Sequence, residues 1–407
     1  MKKILNKILI VLFFCVIYTY ILCINNIPNE LILYENEEFC FKKIWGIEIS
    51  EDIDTINTAV VDDKKTINNK EKLKVSLFNK VPIKEIDVEV IKNTKIIPNG
   101  NIAGLKLYTN GVLVVGMSEI EGIDQRTYKP YENSGIKEGD RILKINNKAI
   151  INTKDLIQKV NNSNGKEIDI EYARDEIIKE CYINPIKTGK DEYKIGLWVR
   201  DSAAGVGTVT FYEPETRKFA ALGHGIVDID TEQLINISSG EFVTTRIIDI
   251  IKGKSGQPGK IQGTIENSKR IGEIYKNTNF GVFGKANDLN LLKTNLNSEI
   301  EVASRNEINL GKAEIICNLS NNKEERYEIE IEKIYRENNY NNKSMRIKVT
   351  DNRLIEKTGG IIQGMSGSPI IQNNKFVGAV TSVLVKNPEE GYAIFGDLMI
   401  KELRKIK

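Results

Sequence analysis

The chain has 407 residues, of which 41% are hydrophobic and 28% charged, enough apolar material for more than one folded unit. Its 58 basic and 56 acidic side chains leave a formal charge of +2, which gives no electrostatic basis for a nucleic-acid partner. A single histidine and five dispersed cysteines without C-x-x-C spacing argue against a zinc centre or a disulfide framework, and no metal or cofactor is expected.

Lys2, Lys3 and Lys7 precede an uncharged apolar run over residues 8–24. That run has about the minimum length of a bilayer-crossing helix, so residues 1–24 are predicted to be a signal anchor or transmembrane segment. The lysines would stay cytoplasmic and the rest of the chain would be exported. No small-residue cleavage site follows, which favours an anchor over a cleaved signal peptide. Residues 25–97 read as a spacer with leading strands, because Ile86, Val88 and Val90 alternate with Asp87 and Glu89.

Residues 98–185 predict a small α+β domain. Leu105-Lys106-Leu107 and Val112-Leu113-Val114-Val115 read as strands joined by a hairpin turn at Asn110-Gly111. A short helical turn then feeds Gly139-Asp140 and a strand carrying Ile142, Leu143 and Ile145. A helix capped by Thr153 is predicted over residues 153–160, followed by strands at 168–172 and 177–183. The stretch from Ser134 to Asn147 resembles the A-G-L-x-x-G-D-x-I-L-x-I-N-G signature of PDZ domains. The resemblance implies capture of an extended peptide by strand addition, with the carboxylate-binding loop at Ala103, Gly104 and Leu105.

Residues 186–407 are dense in short β-like runs, at 205–212, 261–265, 313–317, 328–334 and 345–349, and predict two small packed barrels. Near the end stands Gly364-Met365-Ser366-Gly367-Ser368-Pro369 in a glycine-rich turn. It resembles the G-D-S-G-G-P nucleophile loop of chymotrypsin-like serine peptidases. That assigns Ser366 as nucleophile and the N–H groups of Gly364 and Ser366 as the oxyanion hole. Serine needs a base, and the one imidazole is His224, in Ala221-Leu222-Gly223-His224-Gly225, 142 residues before Ser366. A third group should orient the ring. Asp351, which closes a strand, and Asp249, nearer the middle of the interval, are both candidates, and Asp351 reads equally as the N-cap of a helix over residues 352–357.

Three segments occur together: Arg200-Asp201-Ser202-Ala203-Ala204-Gly205-Val206-Gly207-Thr208, Ala221-Leu222-Gly223-His224 and Gln363-Gly364-Met365-Ser366-Gly367-Ser368-Pro369. With an N-terminal anchor and a PDZ domain ahead of the peptidase, they are similar to the stage IV sporulation protein B peptidases. The resemblance implies a mainly β protein: a membrane anchor, a small PDZ-like α+β domain and a chymotrypsin-like double β-barrel peptidase domain. It implies a membrane-associated serine endopeptidase exported into the space between forespore and mother cell of a spore-forming bacterium. Its protein substrates would be itself and a membrane-bound regulatory protein whose cleavage triggers sigma-factor processing. It also places His224, Asp351 and Ser366 at the family's catalytic positions. The alternative is a non-catalytic, membrane-tethered PDZ scaffold. Met365 stands where chymotrypsin-like enzymes carry an aspartate, so a freed N-terminal amine has nothing to pair with there.

Overall fold

The computed structural model describes residues 30–34, 47–50, 70–77, 81–292, 298–320, 324–335 and 343–406, together with Cys15, Ile17, Tyr18 and Ile21. The predicted anchor at residues 1–24 lies almost wholly outside the described residues. Among them, no helix is long and apolar enough to cross a membrane. The 25–97 region is more than a spacer. Glu30–Tyr34, Val81–Ile91, Lys70–Leu77 and Ile47–Ser50 form a four-stranded sheet, with Ile86 and Val88 buried as their alternation predicts.

The first barrel is a closed ring of six strands. Ile102–Met117 pairs through its first half with Ile237–Ile251 on one edge and with residues 202–208 of Leu197–Tyr212 on the other. Lys260–Thr278, Gly281–Ala286 and Lys218–Ala221 complete the ring. Its core is built on Leu105, Leu107, Val209, Phe219, Phe242 and Val282, with Phe219 and Phe242 stacked 4.7 Å apart. A closed ring leaves no open sheet edge, which suits residues this apolar.

The second half of Ile102–Met117 leaves the barrel and enters the PDZ domain. It pairs with Arg141–Ile145, which continues through Ile168–Arg174 to Ile177–Ile183. Helix α1, Thr153–Asn162, packs Leu156 and Val160 into a core with Val112, Val114, Ile142 and Ile170. The cap of α1 is Asn152 rather than Thr153: the Asn152 carboxamide oxygen accepts from the Asp155 N–H at 2.9 Å. Asp140 of the Gly139-Asp140 pair is buried and doubly bonded by the Arg174 guanidinium at 2.7 Å, tying the helical turn to the sheet.

Two sequence expectations change here. The predicted hairpin at Asn110-Gly111 is a bulge within one continuous strand. Thr109 Oγ1 donates to the Gly111 carbonyl and Asn110 N–H to the Asn236 carbonyl, and the apolar residues on either side belong to different cores. The domain limits of 98–185 and 186–407 shift with it, since the PDZ domain is inserted into the first barrel between its strands Ile102–Met117 and Leu197–Tyr212.

The second barrel is also closed, in the order Gly311–Cys317, Glu325–Ile334, Met345–Val349, Asn387–Phe395, Lys375–Leu384, Pro369–Gln372. Helix α2, Asn352–Thr358, leads toward the nucleophile loop, and helix α3, Gly396–Arg404, closes the chain. Asn373 and Asn374 both adopt positive φ in the tight turn between Pro369–Gln372 and Lys375–Leu384. The barrels meet across Phe211 and Phe376, whose rings sit edge to face at 5.1 Å, both fully buried. Phe376→Ala is expected to cost about 3–5 kcal/mol in denaturant unfolding, because the cavity opens where the two barrels meet.

Candidate active site

His224 follows the barrel strand Lys218–Ala221. Leu222 and Gly223 both adopt positive φ, 71° and 69°, and turn the chain sharply out of the sheet. The Leu222 N–H donates to the Thr208 carbonyl at 3.1 Å, so the turn is tied to the neighbouring strand. His224 Nδ1 lies 2.8 Å from the Gly225 carbonyl oxygen. A carbonyl only accepts, so in the neutral ring Nδ1 carries the proton and Nε2 keeps its lone pair. Burial pushes the imidazole below its ordinary 6.5, against the weaker opposite pull of that hydrogen bond, so the ring is neutral at neutral pH.

Ser366 sits in the loop between α2 and Pro369–Gln372. Gly364 and Gly367 hold φ values of 100° and 98°. At Gly367 a side chain has no room, because a Cβ there would lie 2.3 Å from the Thr208 carbonyl oxygen and 2.6 Å from the Leu222 nitrogen. The two loops therefore meet backbone to backbone across Thr208. That residue donates its N–H to the Ser366 carbonyl at 3.1 Å and its hydroxyl to the Gly364 carbonyl at 2.7 Å. Ser366 Oγ donates to the Thr381 carbonyl at 2.8 Å, and a Cβ on Gly223 would lie 3.3 Å from Thr381 Cγ2. His224 and Ser366 thus come from different barrels to one seam, with the hydroxyl turned onto Thr381 rather than onto the ring. Among the described residues, the N–H groups of Gly364 and Ser366 have no hydrogen-bond partner, while those of Met365, Gly367 and Ser368 are all satisfied. Two free donors flanking a serine hydroxyl are what an oxyanion requires.

The carboxylates stand elsewhere. Asp351 caps α2 through the Arg353 N–H at 2.9 Å, and its other oxygen takes the Arg353 guanidinium at 2.7 Å and the Glu328 N–H at 3.3 Å. The guanidinium holds its carboxyl below the usual carboxylate range. Asp249 is exposed on Ile237–Ile251 and accepts from the Ile250 N–H. Among the described residues no carboxylate bonds the imidazole, and the Gly225 carbonyl is what fixes the ring. Met365 is buried in the second-barrel core. The buried thiol of Cys181 is pushed up to about 11 and that of Cys317 is also raised, so neither is a nucleophile at neutral pH.

The predicted carboxylate loop at Ala103, Gly104 and Leu105 is corrected. These residues lie inside the first barrel, paired with Thr244, Val243 and Phe242 on one edge and with Gly207, Val206 and Gly205 on the other. A strand bonded on both edges has no N–H left for a ligand. Among the described residues, the PDZ edge that stays open is Leu197-Trp198-Val199-Arg200, which pairs with residues 113–117 on one side only and runs beside α1. Ile195-Gly196-Leu197 enters it with the same apolar-glycine-apolar pattern as Ala103-Gly104-Leu105. The pattern occurs twice in the sequence, and of the two copies only the later enters an edge left open among the described residues.

Two outcomes test this geometry. Gly367→Ala should abolish any activity at Ser366 while the PDZ domain stays folded, as read by circular dichroism and a label on Ser366. His224 should titrate below 6.5, followed by NMR as the chain's only imidazole. Because its folded value is the lower one, its contribution to stability is complete above about 6.5. It is lost as pH falls through the folded value, and His224→Gln should remove that dependence.

Residues 191–400 match the family described as SpoIVB peptidase S55, and residues 108–184 match the PDZ domain family. No curated protein matches the chain. Among solved structures, the chain is similar to the PDZ domain of an SdrC-like protein from Listeria monocytogenes, at 20% identity over 22% of this chain and 87% of that one, with a TM-score of 0.18. It is similar to the Rv3671c protease in an inactive form, at 11% identity over 49% and 84% of the chains and a TM-score of 0.27. It is also similar to the HtrA-type protease AlgW with a decapeptide, at 11% identity over 54% and 57% and a TM-score of 0.30. The family match spans more than half of the chain, so the chain belongs to the SpoIVB peptidase S55 family: it is a serine peptidase of mainly β, double-barrel architecture that carries a PDZ domain.

Proposed function

We propose that His224 is the general base and Ser366 the nucleophile of this peptidase, with the Gly364 and Ser366 N–H groups as its oxyanion hole. The observation that carries this reading is the seam at Thr208. Thr208 ties the backbone of the His224 loop to that of the Ser366 loop, and these loops carry a neutral imidazole, a serine hydroxyl and two N–H donors that have no hydrogen-bond partner among the described residues, which supports the reading. In the first step Ser366 Oγ turns from the Thr381 carbonyl toward Nε2 and attacks the peptide carbonyl carbon, and Nε2 takes the hydroxyl proton. The tetrahedral oxyanion rests on the two N–H groups until the C–N bond breaks and Nε2 returns its proton to the leaving amine. Water, deprotonated by the same nitrogen, then hydrolyses the acyl-enzyme.

In this reading the finer role is that of the family: a membrane-associated endopeptidase of sporulation. It is exported between forespore and mother cell, cleaves itself, and cuts a membrane-bound regulator that triggers sigma-factor processing. The family match and the Lys2, Lys3 and Lys7 start before an apolar run support it. Met365, in the place of an aspartate, leaves a new amine without a partner at the site. Self-cleavage would then act through release from the membrane or through the PDZ domain.

Asp351 stands as the family's third catalytic position, yet its bonds to Arg353 favour a capping role. With the ring held by the Gly225 carbonyl, Asp351→Asn should keep phosphonate labelling within about tenfold and lose less than about 1 kcal/mol of stability, because Asn caps as well as Asp and only the exposed pair to Arg353 is lost. A fall of about 10⁴ would instead make it the orienting carboxylate.

An active-site phosphonate should label the trimmed protein, and Ser366→Ala or His224→Ala should abolish labelling. A folded wild-type protein that takes no label would return the scaffold reading. Trimming between Asn25 and Lys74 should leave turnover of a soluble peptide within a fewfold, and a gain of orders of magnitude would refute control by release.

A further inference from the structure

The strand Leu197–Tyr212 serves three masters. Residues 197–200 form the open PDZ edge beside α1, Asp201 and Arg200 reach out to either side, and Thr208 holds the nucleophile loop. Successive residues of a strand point to opposite faces. On one face, Asp201 Oδ2 accepts the N–H of Thr153, the first residue of α1, at 2.8 Å. On the other, the Arg200 guanidinium pairs with Asp228 and, at 2.7 Å, with Asp230, in the loop that follows His224.

Asp228 is only 1% exposed. Its Oδ1 accepts the N–H groups of Asp230 and Thr231 at 3.0 and 3.1 Å, so the carboxylate shapes the loop as well as anchoring it. The loop has little give. Val227 bridges to Leu234, and the Asn277 carboxamide clamps both the N–H and the carbonyl of Ile226 at 2.8 Å. The loop is thus braced internally and fastened through Asp228 to Arg200.

We propose that Arg200 and Asp201 form a coupling element between the PDZ domain and the candidate base: an extended peptide that adds as a strand to residues 197–200, against α1, shifts this dipeptide and with it the loop that positions His224. The coupling rests on the reading of His224 as the base. Arg200 is a positioning residue that touches no substrate. An extended peptide is the occupant because, among the described residues, the edge offers a row of unpaired backbone groups beside a helix, and such an edge is completed by one more strand. The coupling runs both ways, so a change at Ser366 must also be felt at the PDZ edge.

The test uses the full chain carrying Trp45→Phe, which leaves Trp198 on the open edge as the one indole. Arg200→Met alone strands the buried Asp228 carboxylate and endangers folding, so the deciding variant is Arg200→Met with Asp228→Asn. The pair carries no buried charge and keeps an oxygen for the loop N–H groups. Two readouts are taken: the NMR titration of His224, and Trp198 emission before and after phosphonate labelling of Ser366. The parent should titrate below 6.5 and its emission should shift on labelling. The double variant should titrate closer to 6.5, label at least tenfold more slowly and show no shift. An unchanged titration with an unchanged labelling rate overturns the coupling. If the parent takes no label at all, the peptidase assignment of Ser366 fails, and the titration alone still decides whether Arg200 sets the imidazole.

Discussion

Thr208 is where the two barrels are made into one machine. Its N–H, carbonyl and hydroxyl bond Ser366, Leu222 and Gly364, so three hydrogen bonds of one buried residue fix the His224 loop against the Ser366 loop. Such bonds are modest in net strength but costly to leave unmade once buried. The approach they enforce is too close for any side chain at position 367, and it sets the left-handed turn at Leu222-Gly223 that swings His224 clear of its sheet. The glycine spacing of the nucleophile motif is a consequence of this contact as much as of chemistry.

The PDZ domain is built into the same joint. It lies within the chain of the first barrel and borrows the barrel's own strand as its open edge. Arrays in which one domain is appended to another can swing independently. Here a strand passes from the PDZ edge to the nucleophile loop without a break, with Arg200, Asp201 and Thr208 as its fastenings. In the proposed coupling, the side-chain positions of Ser366 on Thr381 and His224 on Gly225 are what a ligand at the far end of the strand would change.

Local strand and cap patterns were legible in the sequence, and the long-range pairing was not. Ser366 and His224 stood out because glycine brackets them and because only one imidazole exists. The strands at 177–183, 345–349 and 369–372 were legible from alternation and turn residues, as was α2 with its Asp351 cap. Apolar alternation predicts a hairpin at Asn110-Gly111 because it says which residues are buried and not in which core. Asn-Gly marks a bend equally well in a bulge as in a turn. The same blindness placed the PDZ ligand loop at Ala103, Gly104 and Leu105: a local motif fits twice, and only the pairing of both edges tells the buried copy from the open one. The Arg200–Asp228 pair joins two domains and carries no local signature at all.

The insertion also has a history to it. Tyr108 and Ser202 are ladder partners, yet the whole PDZ domain lies between them, and the barrel cannot close on its first strand until its partner has been synthesised. Closing a loop of ~90 residues costs more chain entropy than closing one of a few, by about 2 kcal/mol. A PDZ domain that folds first, on its own compact core, brings the two strands side by side and removes most of that difference. With assembly in that order, from PDZ domain to first barrel, a chain whose PDZ domain is damaged is expected to close its first barrel more slowly.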